Sequence, residues 1–528
     1  MGSDNLTSRP ALAPCTNIHH TPPAKPTSYL PTPPTENKGK RRHVAENPKI
    51  PIKRMKLGVA DSSSENESES EEESEEDIAM EDLRVTQNRA RNATAFRMHS
   101  NLFMRPALGC RRLMPSTLPI LQTFVSSNKA DIFRCESIDG DTYLTPPYAC
   151  NYSNSSKQGR SSKLAVGTEQ GTVHILNTAK RNDWDCEPPR TTLQPHNNGI
   201  FDVKWSADDK TIATCSGDQS TRILDVETGA TTHVLRGHTS TVKCISWDPN
   251  NASLLATGGR DGAICLWDLR LAEKLQDDEI GYANPVIVIH GAHEDTTIKS
   301  KPKPRKGKQN PAPRSITNIL YPDTLPFSLI SSSSHDGVLR SWDLRRPTQK
   351  RKTKKLPVPT ELDASLIDPT SQQGSRRPRG IISLASGVGP SAGLIFAFGA
   401  DSKIHTFDLP TLSPHRNSFS HPNLQTNSFY VGLSVSPCGR WLACGGSPTM
   451  GNCFLFDIEN ASRPEWSLPP AVELKGQLGE VGAVDWAHDV LATCTDDGTV
   501  RTWRSDPQIY SRCQAQPEES RWDWKWSC

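Results

Sequence analysis

Histidine, hydroxyl and carboxylate side chains are the groups that proton transfer and nucleophilic chemistry use, and one stretch, 235–270, carries all three. His238, Thr257 and Asp261 follow one another there. Strand-length apolar runs separate them, at 242–247, 254–257 and 263–267, and Gly, Asp, Asn or Pro residues bound these runs. Such a pattern predicts short β-strands joined by tight turns. The polar side chains therefore belong to a small sheet, and its fold decides whether they are catalytic or structural.

The stretch opens with Gly237-His238 and closes with Trp267-Asp268, which resembles one blade of a WD-repeat propeller. The resemblance implies that His238, Thr257, Asp261 and Trp267 form a buried hydrogen-bond chain that ties the strands together. Buried polar side chains are tolerated where they satisfy one another. We therefore expect this histidine and aspartate to be structural rather than catalytic.

The same sequence pattern recurs along the chain, with an acidic turn residue six positions before an aromatic or aliphatic residue of the third strand. The further copies are Glu169 and Ile175, Asp218 and Leu224, Asp336 and Trp342, Asp401 and Phe407, and Asp497 and Trp503. One more copy ends at Phe456-Asp457 without its turn acid. Seven repeats predict an all-β fold, a seven-bladed WD-repeat β-propeller over 117–504 with a disordered N-terminal extension. An early strand at 118–125 should complete the last blade and so remove a sheet edge.

The sequence lacks the motifs of catalytic and metal-binding sites. It contains no glycine-rich phosphate loop, no serine elbow and no histidine pair at metal-ligand spacing. Its fourteen cysteines include no Cys-x-x-Cys pair, so we expect reduced thiols in an intracellular protein. Because no apolar run has membrane-spanning length and the N-terminus is polar, we expect neither a signal peptide nor an anchor. The prediction is a non-catalytic protein without metal, cofactor or membrane contact.

The segments outside the repeats differ in charge. Residues 1–60 are rich in Pro and Thr and should be disordered, 61–82 form an acidic Ser/Glu tract, and 83–116 are assigned to a helix and linker. Two basic clusters in the first segment have the spacing of a bipartite nuclear-import signal, with a solvated charge run as the alternative. They comprise Lys40, Arg41, Arg42, Lys53, Arg54 and Lys56. The clusters predict a nuclear protein, whereas the Trp-rich tail, 505–528, suggests no role.

Two basic insertions interrupt the repeats, near 294–313 and 346–379. The first contains KSKPKPRKGK at 299–308 and the second RRPTQKRKTKK at 345–355. These side chains could contact DNA phosphates weakly, serve as further import signals, or form flexible basic loops. The sequence leaves these alternatives open.

Two consecutive repeats end in Trp-Asp-x-Arg boxes. The first box is Trp267, Asp268 and Arg270, and the second is Trp342, Asp343 and Arg345. Paired boxes resemble the docking signature of substrate receptors for cullin-4 ubiquitin ligases. The resemblance implies that each arginine leaves the third strand on the wider propeller face. There it would pair with the ligase adaptor, the large subunit of damage-specific DNA-binding protein.

A closer resemblance, to denticleless-type proteins, extends over 143–504. It rests on Tyr143-Leu-Thr-Pro-Pro-Tyr148, Cys215-Ser-Gly-Asp-Gln219, Ala256-Thr-Gly-Gly-Arg-Asp-Gly262, Asn427-Ser-Phe-Tyr-Val431 and the Lys-rich loop after Gly-Ala-His293. It implies a nuclear, non-catalytic receptor that acts in DNA replication, the cell cycle and the DNA damage response. Such a receptor recruits degron proteins bound to the sliding clamp PCNA, among them the replication licensing factor, for ubiquitination by cullin-4.

The chain departs from that family pattern in two respects. It nearly ends after the propeller, and it contains no Gln-x-x-aliphatic-x-x-aromatic-aromatic motif for binding the clamp. We therefore expect degron and clamp to be recognised as one composite surface, each with little affinity alone. The alternative function is that of a chromatin-associated WD-repeat scaffold or histone-binding protein that is not linked to a ligase.

Overall fold

Seven sheets, one for each repeat, follow one another along the part of the chain that the structure describes, and their strands pair antiparallel except for one parallel pair at the edge of blade 2. The computed structural model describes residues 116–126, 128–138, 143–182, 185–274, 280–294, 313–348, 358–372, 377–446, 451–463, 467–515 and 525–526. The predicted seven-bladed β-propeller is confirmed. The predicted import clusters and acidic tract lie outside these residues, as does the predicted helix and linker of 83–116 except for Ser116.

Blades 1 to 6 each take four strands from one stretch of chain, in order from the central channel outwards. For blades 1 to 3 these are Pro147–Tyr152, Lys163–Thr168, Val173–Asn177 and Thr191–Leu193; Ile200–Trp205, Thr211–Ser216, Ser220–Asp225 and Thr231–Arg236; and Val242–Asp248, Asn251–Gly259, Ile264–Asp268 and Ile287–Ile289. For blades 4 to 6 they are Ile316–Leu320, Ser328–Ser333, Arg340–Thr348 and Val358–Ala364; Ile381–Ser386, Leu394–Gly399, Ile404–Asp408 and Ser413–Phe419; and Leu433–Val435, Trp441–Cys444, Cys453–Asp457 and Val472–Leu474. Glu273–Lys274 and Gly281–Ala283 extend the outer edge of blade 2.

Blade 7 combines strands from both ends of the described chain. Its strands are Val481–Trp486, Val490–Thr495 and Thr499–Ser505, with Phe124–Ser126 and Ile132–Arg134 paired to the third and Lys525–Trp526 paired to Phe124–Ser126. An early strand thus closes the ring, as predicted, but it is shorter than 118–125. Leu118–Leu121 is a helical turn instead, since Pro119 cannot donate to a ladder and favours the first turn of a helix. The tail, to which the sequence suggested no role, adds the outermost strand.

Short helices connect or follow the sheets. They are the α-helices Leu118–Leu121, Asn154–Lys157 and Pro507–Ala515 and the 3₁₀ turns Lys129–Asp131, Leu269–Leu271 and Gly389–Ser391. None of the helices that the structure describes has the length and hydropathy that a membrane passage requires.

The second basic insertion is shorter than its predicted extent of 346–379. Val358–Ala364 is the outer strand of blade 4, with Val358 opposite Thr348. The sequence VPTELDA carries a proline and two acids, so it lacks the signature of a buried strand, although an edge strand tolerates these residues. Residues 349–357 and 373–376 of this insertion, and 295–312 of the first, lie outside the described residues.

Neighbouring blades cover both faces of each sheet, which explains why the second strands are largely buried. Leu394–Gly399, for example, is buried at every position. Polar contacts add to this packing where the ring closes. Asp485 of blade 7 accepts hydrogen bonds from Tyr152 N of blade 1, at 2.7 Å, and from Ser434 Oγ of blade 6, at 2.8 Å. A buried carboxylate thereby joins three consecutive blades.

The alternating strand directions sort the connections onto two opposite faces of the propeller. The turns between second and third strands, which contain Asp261 and its equivalents, lie on one face with the connections leading into each first strand. We call this the acid-turn face. The connections after each first and each third strand lie on the other face, which includes Arg270 and Arg345 and which we call the arginine face.

Candidate functional site

The polar residues predicted for blade 3 are brought together as one chain of hydrogen bonds. His238 Nε2 lies 2.8 Å from Thr257 Oγ1, and Trp267 Nε1 donates to the same hydroxyl at 2.8 Å. On its other side, His238 Nδ1 lies 3.1 Å from Asp261 Oδ2. The Asp261 carboxylate also accepts from Thr239 N at 2.8 Å and from Ala263 N at 3.0 Å. These contacts join the connection before the first strand, the second strand, the acid turn and the third strand.

Burial limits what this arrangement can do chemically. The His238 side chain is 1% exposed, so no substrate can reach its ring. Burial alone would raise the pKa of Asp261, but the hydrogen bond and the charge of His238 outweigh it and lower that pKa. The carboxylate is thus held ionised as an acceptor, which fits a structural tie between strands.

Blade 2 contains a similar tie that sequence reasoning did not identify. His196 Nδ1 lies 2.8 Å from Asp218 Oδ2, and His196 Nε2 lies 2.8 Å from Thr214 Oγ1. The hydrogen bond from His196 lowers the pKa of Asp218 to about 2, against the opposing effect of burial. The signal was present, because histidine and acid are 22 residues apart here and 23 in blade 3. Leu224 in place of the tryptophan obscured it.

The two predicted docking arginines have the same local geometry. Arg270 N and Nε donate to Asp268 Oδ1 at 3.0 and 2.8 Å, and its Nη2 donates to Oδ2 at 2.7 Å. In the next blade, Arg345 N and Nε donate to Asp343 Oδ1 at 2.9 and 3.2 Å. The Arg270 and Arg345 side chains remain 61% and 58% exposed. Each aspartate therefore orients a guanidinium group without covering it.

Apolar side chains flank both arginines on the arginine face. Leu271 directly follows Arg270 and is 65% exposed, and Phe327 is 56% exposed with the Arg345 guanidinium 6.0 Å from its ring centroid. Phe327 also has a φ of +63°, a conformation that costs energy for a bulky residue. An exposed apolar and cationic patch on adjacent blades has the composition of a protein-binding surface.

Other classes of site have less support in the described residues. Within them, no group of three or more His, Cys, Asp or Glu side chains is placed to hold a metal ion. The cysteines that the structure describes are free, and burial raises the pKa of Cys135 and of Cys265 to about 12. The predicted DNA contacts fall largely on residues outside the described ranges and stay predictions.

Comparison with known proteins places these features in context. Residues 187–225 and 229–268 match the family described as WD domain, G-beta repeat. The chain is 31% identical over 389 residues to the denticleless protein homolog of Gallus gallus, which covers 71% of this chain and 48% of that protein. The human denticleless protein homolog is 29% identical over 432 residues, 77% of this chain and 53% of its own length. The cell division cycle protein cdt2 of Schizosaccharomyces pombe is 29% identical over 432 residues, 76% and 79% of the two chains. The chain spans about half the length of the denticleless relatives it matches.

Proposed function

The chain belongs to the denticleless type of WD-repeat proteins, and on that premise we propose that it is the substrate-recognition subunit of a cullin-4 ubiquitin ligase. In this role it binds the ligase adaptor through Arg270 and Arg345 and performs no catalysis itself. Its substrates are replication and cell-cycle proteins that carry a degron and are bound to PCNA. The observation that carries the proposal is the pair of exposed, aspartate-oriented arginines on adjacent blades.

The geometry of the arginines suits the docking of a partner. A guanidinium that is already held by Asp268 or Asp343 loses little side-chain freedom on binding, and its remaining N–H groups can meet a carboxylate or carbonyl oxygen of the partner. Leu271 and Phe327 supply apolar contact area beside the charges. Buried arginines beside apolar anchors are typical of the residues that dominate interface energies.

The acid-turn face stays free when the arginine face is docked, since the two lie on opposite sides of the ring. One propeller can then hold ligase and substrate at the same time. We propose that degron and clamp bind this face as a composite surface. The test is a titration of the propeller against degron peptide, PCNA and the preformed degron–PCNA complex, with strong binding expected for the complex alone. Equal affinity for the free peptide and the complex would contradict the composite surface.

The docking proposal is tested by the double variant R270A/R345A. Its affinity for the purified adaptor should fall by about thirtyfold or more, because truncating interface arginines removes charged hydrogen bonds. The matched control is R236A/R260A, which removes two exposed arginines from the acid-turn face and should bind the adaptor like the wild type. Unchanged adaptor binding by R270A/R345A would refute the assignment.

Affinity purification of the wild type from nuclei separates the proposal from the chromatin-scaffold alternative. A ligase receptor requires the adaptor and cullin-4 among its partners by mass spectrometry. Histones or chromatin proteins recovered without either of them would favour the scaffold.

Nuclear import is proposed to depend on the two N-terminal basic clusters, which lie outside the described residues. Replacing Lys40, Arg41, Arg42, Lys53, Arg54 and Lys56 together with Gln should leave the protein cytoplasmic by fluorescence microscopy. Retention in the nucleus would instead assign import to the basic insertions or to a partner.

A further inference from the structure

Blade 5 keeps the aspartate of the Trp-Asp-x-Arg box but not its arginine. The third strand ends at Asp408, and Pro410 stands two residues later, where blades 3 and 4 have their docking arginines. The Asp408 carboxylate instead lies 3.0 Å from His415 Nε2, in the outer strand of the same blade. Since a carboxylate only accepts, the histidine nitrogen donates this hydrogen bond. The aspartate thereby positions an imidazole ring rather than a guanidinium group.

The outer strand of blade 5 bulges at this histidine. Its pairing with the third strand skips His415, Arg416 and Asn417, where the third strand has a single residue, Thr406. Such a bulge re-aims the side chains of the extra residues. All three line one cleft at the rim of the arginine face, next to the end of the third strand. The irregular pairing therefore builds one wall of a site.

The opposite wall comes from blade 6, from the connection between its third and outer strands. Ala461 N donates to Ile458 O at 3.0 Å, and the next turn follows at once, with Arg463 N donating to Asn460 O at 3.0 Å. Asn460 and Ala461 are buried, so these turns are packed onto the blade. Ser462 and Arg463 line the cleft beside them. Hydrogen bonds and packing thus hold this wall in place.

The blade 5–6 cleft between these walls has a volume of about 190 Å³ and a mixed lining. Its apolar side chains are Phe419, Ala461 and Leu468. Its side chains with hydrogen-bond donors include His415, Arg416, Asn417, Ser462 and Arg463. Among the described residues that line it, the one carboxylate is that of Asp408, which His415 already engages. The cleft thus offers mainly donors to a ligand.

Two arginines, one on each wall, make the described lining of the cleft positive. Arg416 of blade 5 is exposed and forms no ion pair with an aspartate or glutamate among the described residues. Arg463 of blade 6 is half-buried. Two guanidinium groups stand against the single carboxylate of Asp408. Guanidinium groups on facing walls can hold one oxyanion between them, because each presents parallel N–H donors to it.

We propose that the blade 5–6 cleft binds the phosphate group of a phosphorylated serine or threonine in a partner polypeptide. A phosphomonoester carries about 1.5 to 2 negative charges and three acceptor oxygens, which suit two guanidinium groups and the neutral donors beside them. The apolar side chains of the cleft contact the residues that flank the phosphate. A nucleic acid suits it less, since phosphates along a backbone need a row of cations. The inference does not depend on adaptor docking.

The experiment uses photo-crosslinking to the full chain. The probe is a short Gly/Ala peptide with one phosphoserine followed by benzoylphenylalanine, and the matched probe carries unmodified serine. The phosphoserine probe should label the cleft about tenfold more than the serine probe, with the crosslinks mapped by mass spectrometry to residues near 415–417 and 461–463. Equal labelling by the two probes, or crosslinks only elsewhere, would overturn the proposal.

Competitors distinguish the sources of phosphate. The same phosphoserine peptide without its photoreactive residue should suppress labelling, whereas inorganic phosphate and oligothymidylate at equal phosphate concentration should compete much less, because neither has peptide side chains for the apolar lining. Equal competition by inorganic phosphate would show that the cleft recognises only the free anion. Stronger competition by oligothymidylate would assign the cleft to nucleic acid. Either result would overturn the proposal.

Variants separate recognition in the cleft from general charge effects. R416Q/R463Q should reduce phosphoserine-specific labelling about tenfold. Ser462→Glu, at an exposed position, adds a carboxylate to the cleft and should reduce labelling without affecting folding. The control R236Q/R260Q removes two exposed arginines from the acid-turn face and should label like the wild type. A similar loss in this control, or unchanged labelling of Ser462→Glu, would overturn the proposal. R270A/R345A should retain labelling, so failure of adaptor docking and failure of this site give different results.

Discussion

Blades 3 and 4 carry the same Trp-Asp-x-Arg box, but they tie their strands together differently. In blade 3, His238 contacts both Asp261 and Thr257. In blade 4, His293 Nε2 lies 2.9 Å from Ser331 Oγ, and Trp342 Nε1 donates to the same hydroxyl at 2.9 Å. The Nδ1 atom of His293, however, has no hydrogen-bond partner among the described residues.

Arg314 accounts for the difference. In blade 4 the turn acid, Asp336, accepts from Ser333 Oγ at 3.0 Å and lies 3.5 Å from Arg314 Nη1, which also donates to His293 O at 2.8 Å. The basic insertion falls between this histidine and Arg314. Arg345 is nevertheless oriented by its aspartate as Arg270 is in blade 3. Both blades thus keep the hydrogen bond from the tryptophan to a hydroxyl and the contact between aspartate and arginine. Only blade 3 has the contact between histidine and the turn acid, so the other two contacts do not require it.

Removal of the turn acid should reveal the largest difference in stability between blades 3 and 4. Asp261→Ala leaves His238 and two backbone N–H groups without their acceptor, so we expect a loss of about 2–3 kcal/mol in the free energy of unfolding. Asp336→Ala should cost about 1 kcal/mol, because its partners are fewer and longer. Urea unfolding followed by tryptophan fluorescence measures both. Asp261→Asn keeps an acceptor oxygen, so its loss of unfolding free energy should lie between those of Asp261→Ala and Asp336→Ala. Equal losses for the two alanine variants would contradict the proposed difference between the blades.

Because His293 Nδ1 has no hydrogen-bond partner among the described residues, this histidine should make the stability of the protein depend on pH. Burial, reinforced by the charges of Arg340 and Arg314, lowers the pKa of His293 to about 3. Between about pH 6.5 and 3, His293 is protonated in the unfolded chain but neutral in the folded protein. The free energy of unfolding therefore falls as pH falls, by up to about 1.4 kcal/mol per pH unit.

His293→Gln should remove this part of the pH dependence. A glutamine is compatible with the position, since Gln477 occupies the equivalent place in blade 7 and accepts from Thr493 Oγ1 at 2.6 Å. Unfolding free energies measured at several pH values between 4 and 7.5 should give a flatter curve for the variant. Parallel curves for variant and wild type would show that His293 is not the titrating group.

The smallest effect on stability is expected for the arginines of the two boxes, which have similar surroundings in both blades. Arg270→Ala and Arg345→Ala as single variants should leave the urea midpoint unchanged within error, because both side chains are exposed and lie outside the strand ties. A lower midpoint for Arg345→Ala alone would show that its contact with Phe327 supports the blade.

The sequence by itself determined the number of repeats and the position of blade 3, whereas the four-residue tie of that blade and the role of the two arginine boxes came from the resemblance to known families. The repeats depend on short-range patterns, namely apolar runs of strand length and turn residues at constant spacing, which local chemistry dictates. It overlooked the tie around His196 because one tryptophan was missing, and the outer strand Val358–Ala364 because an edge strand needs no apolar face.

Only the tertiary structure decided how the ring closes and what its channel mouth contains. Val125 pairs with Arg504 and with Trp526, which are far apart from it in sequence, and a short run carries no information about such a partner. Tyr148, Phe201 and Tyr430 each look like an ordinary strand or loop residue. Bulges at the start of two inner strands turn Tyr148 and Phe201 towards a common axis, and Tyr430 reaches the same axis from the loop before blade 6. That axis exists only once seven blades have closed around it.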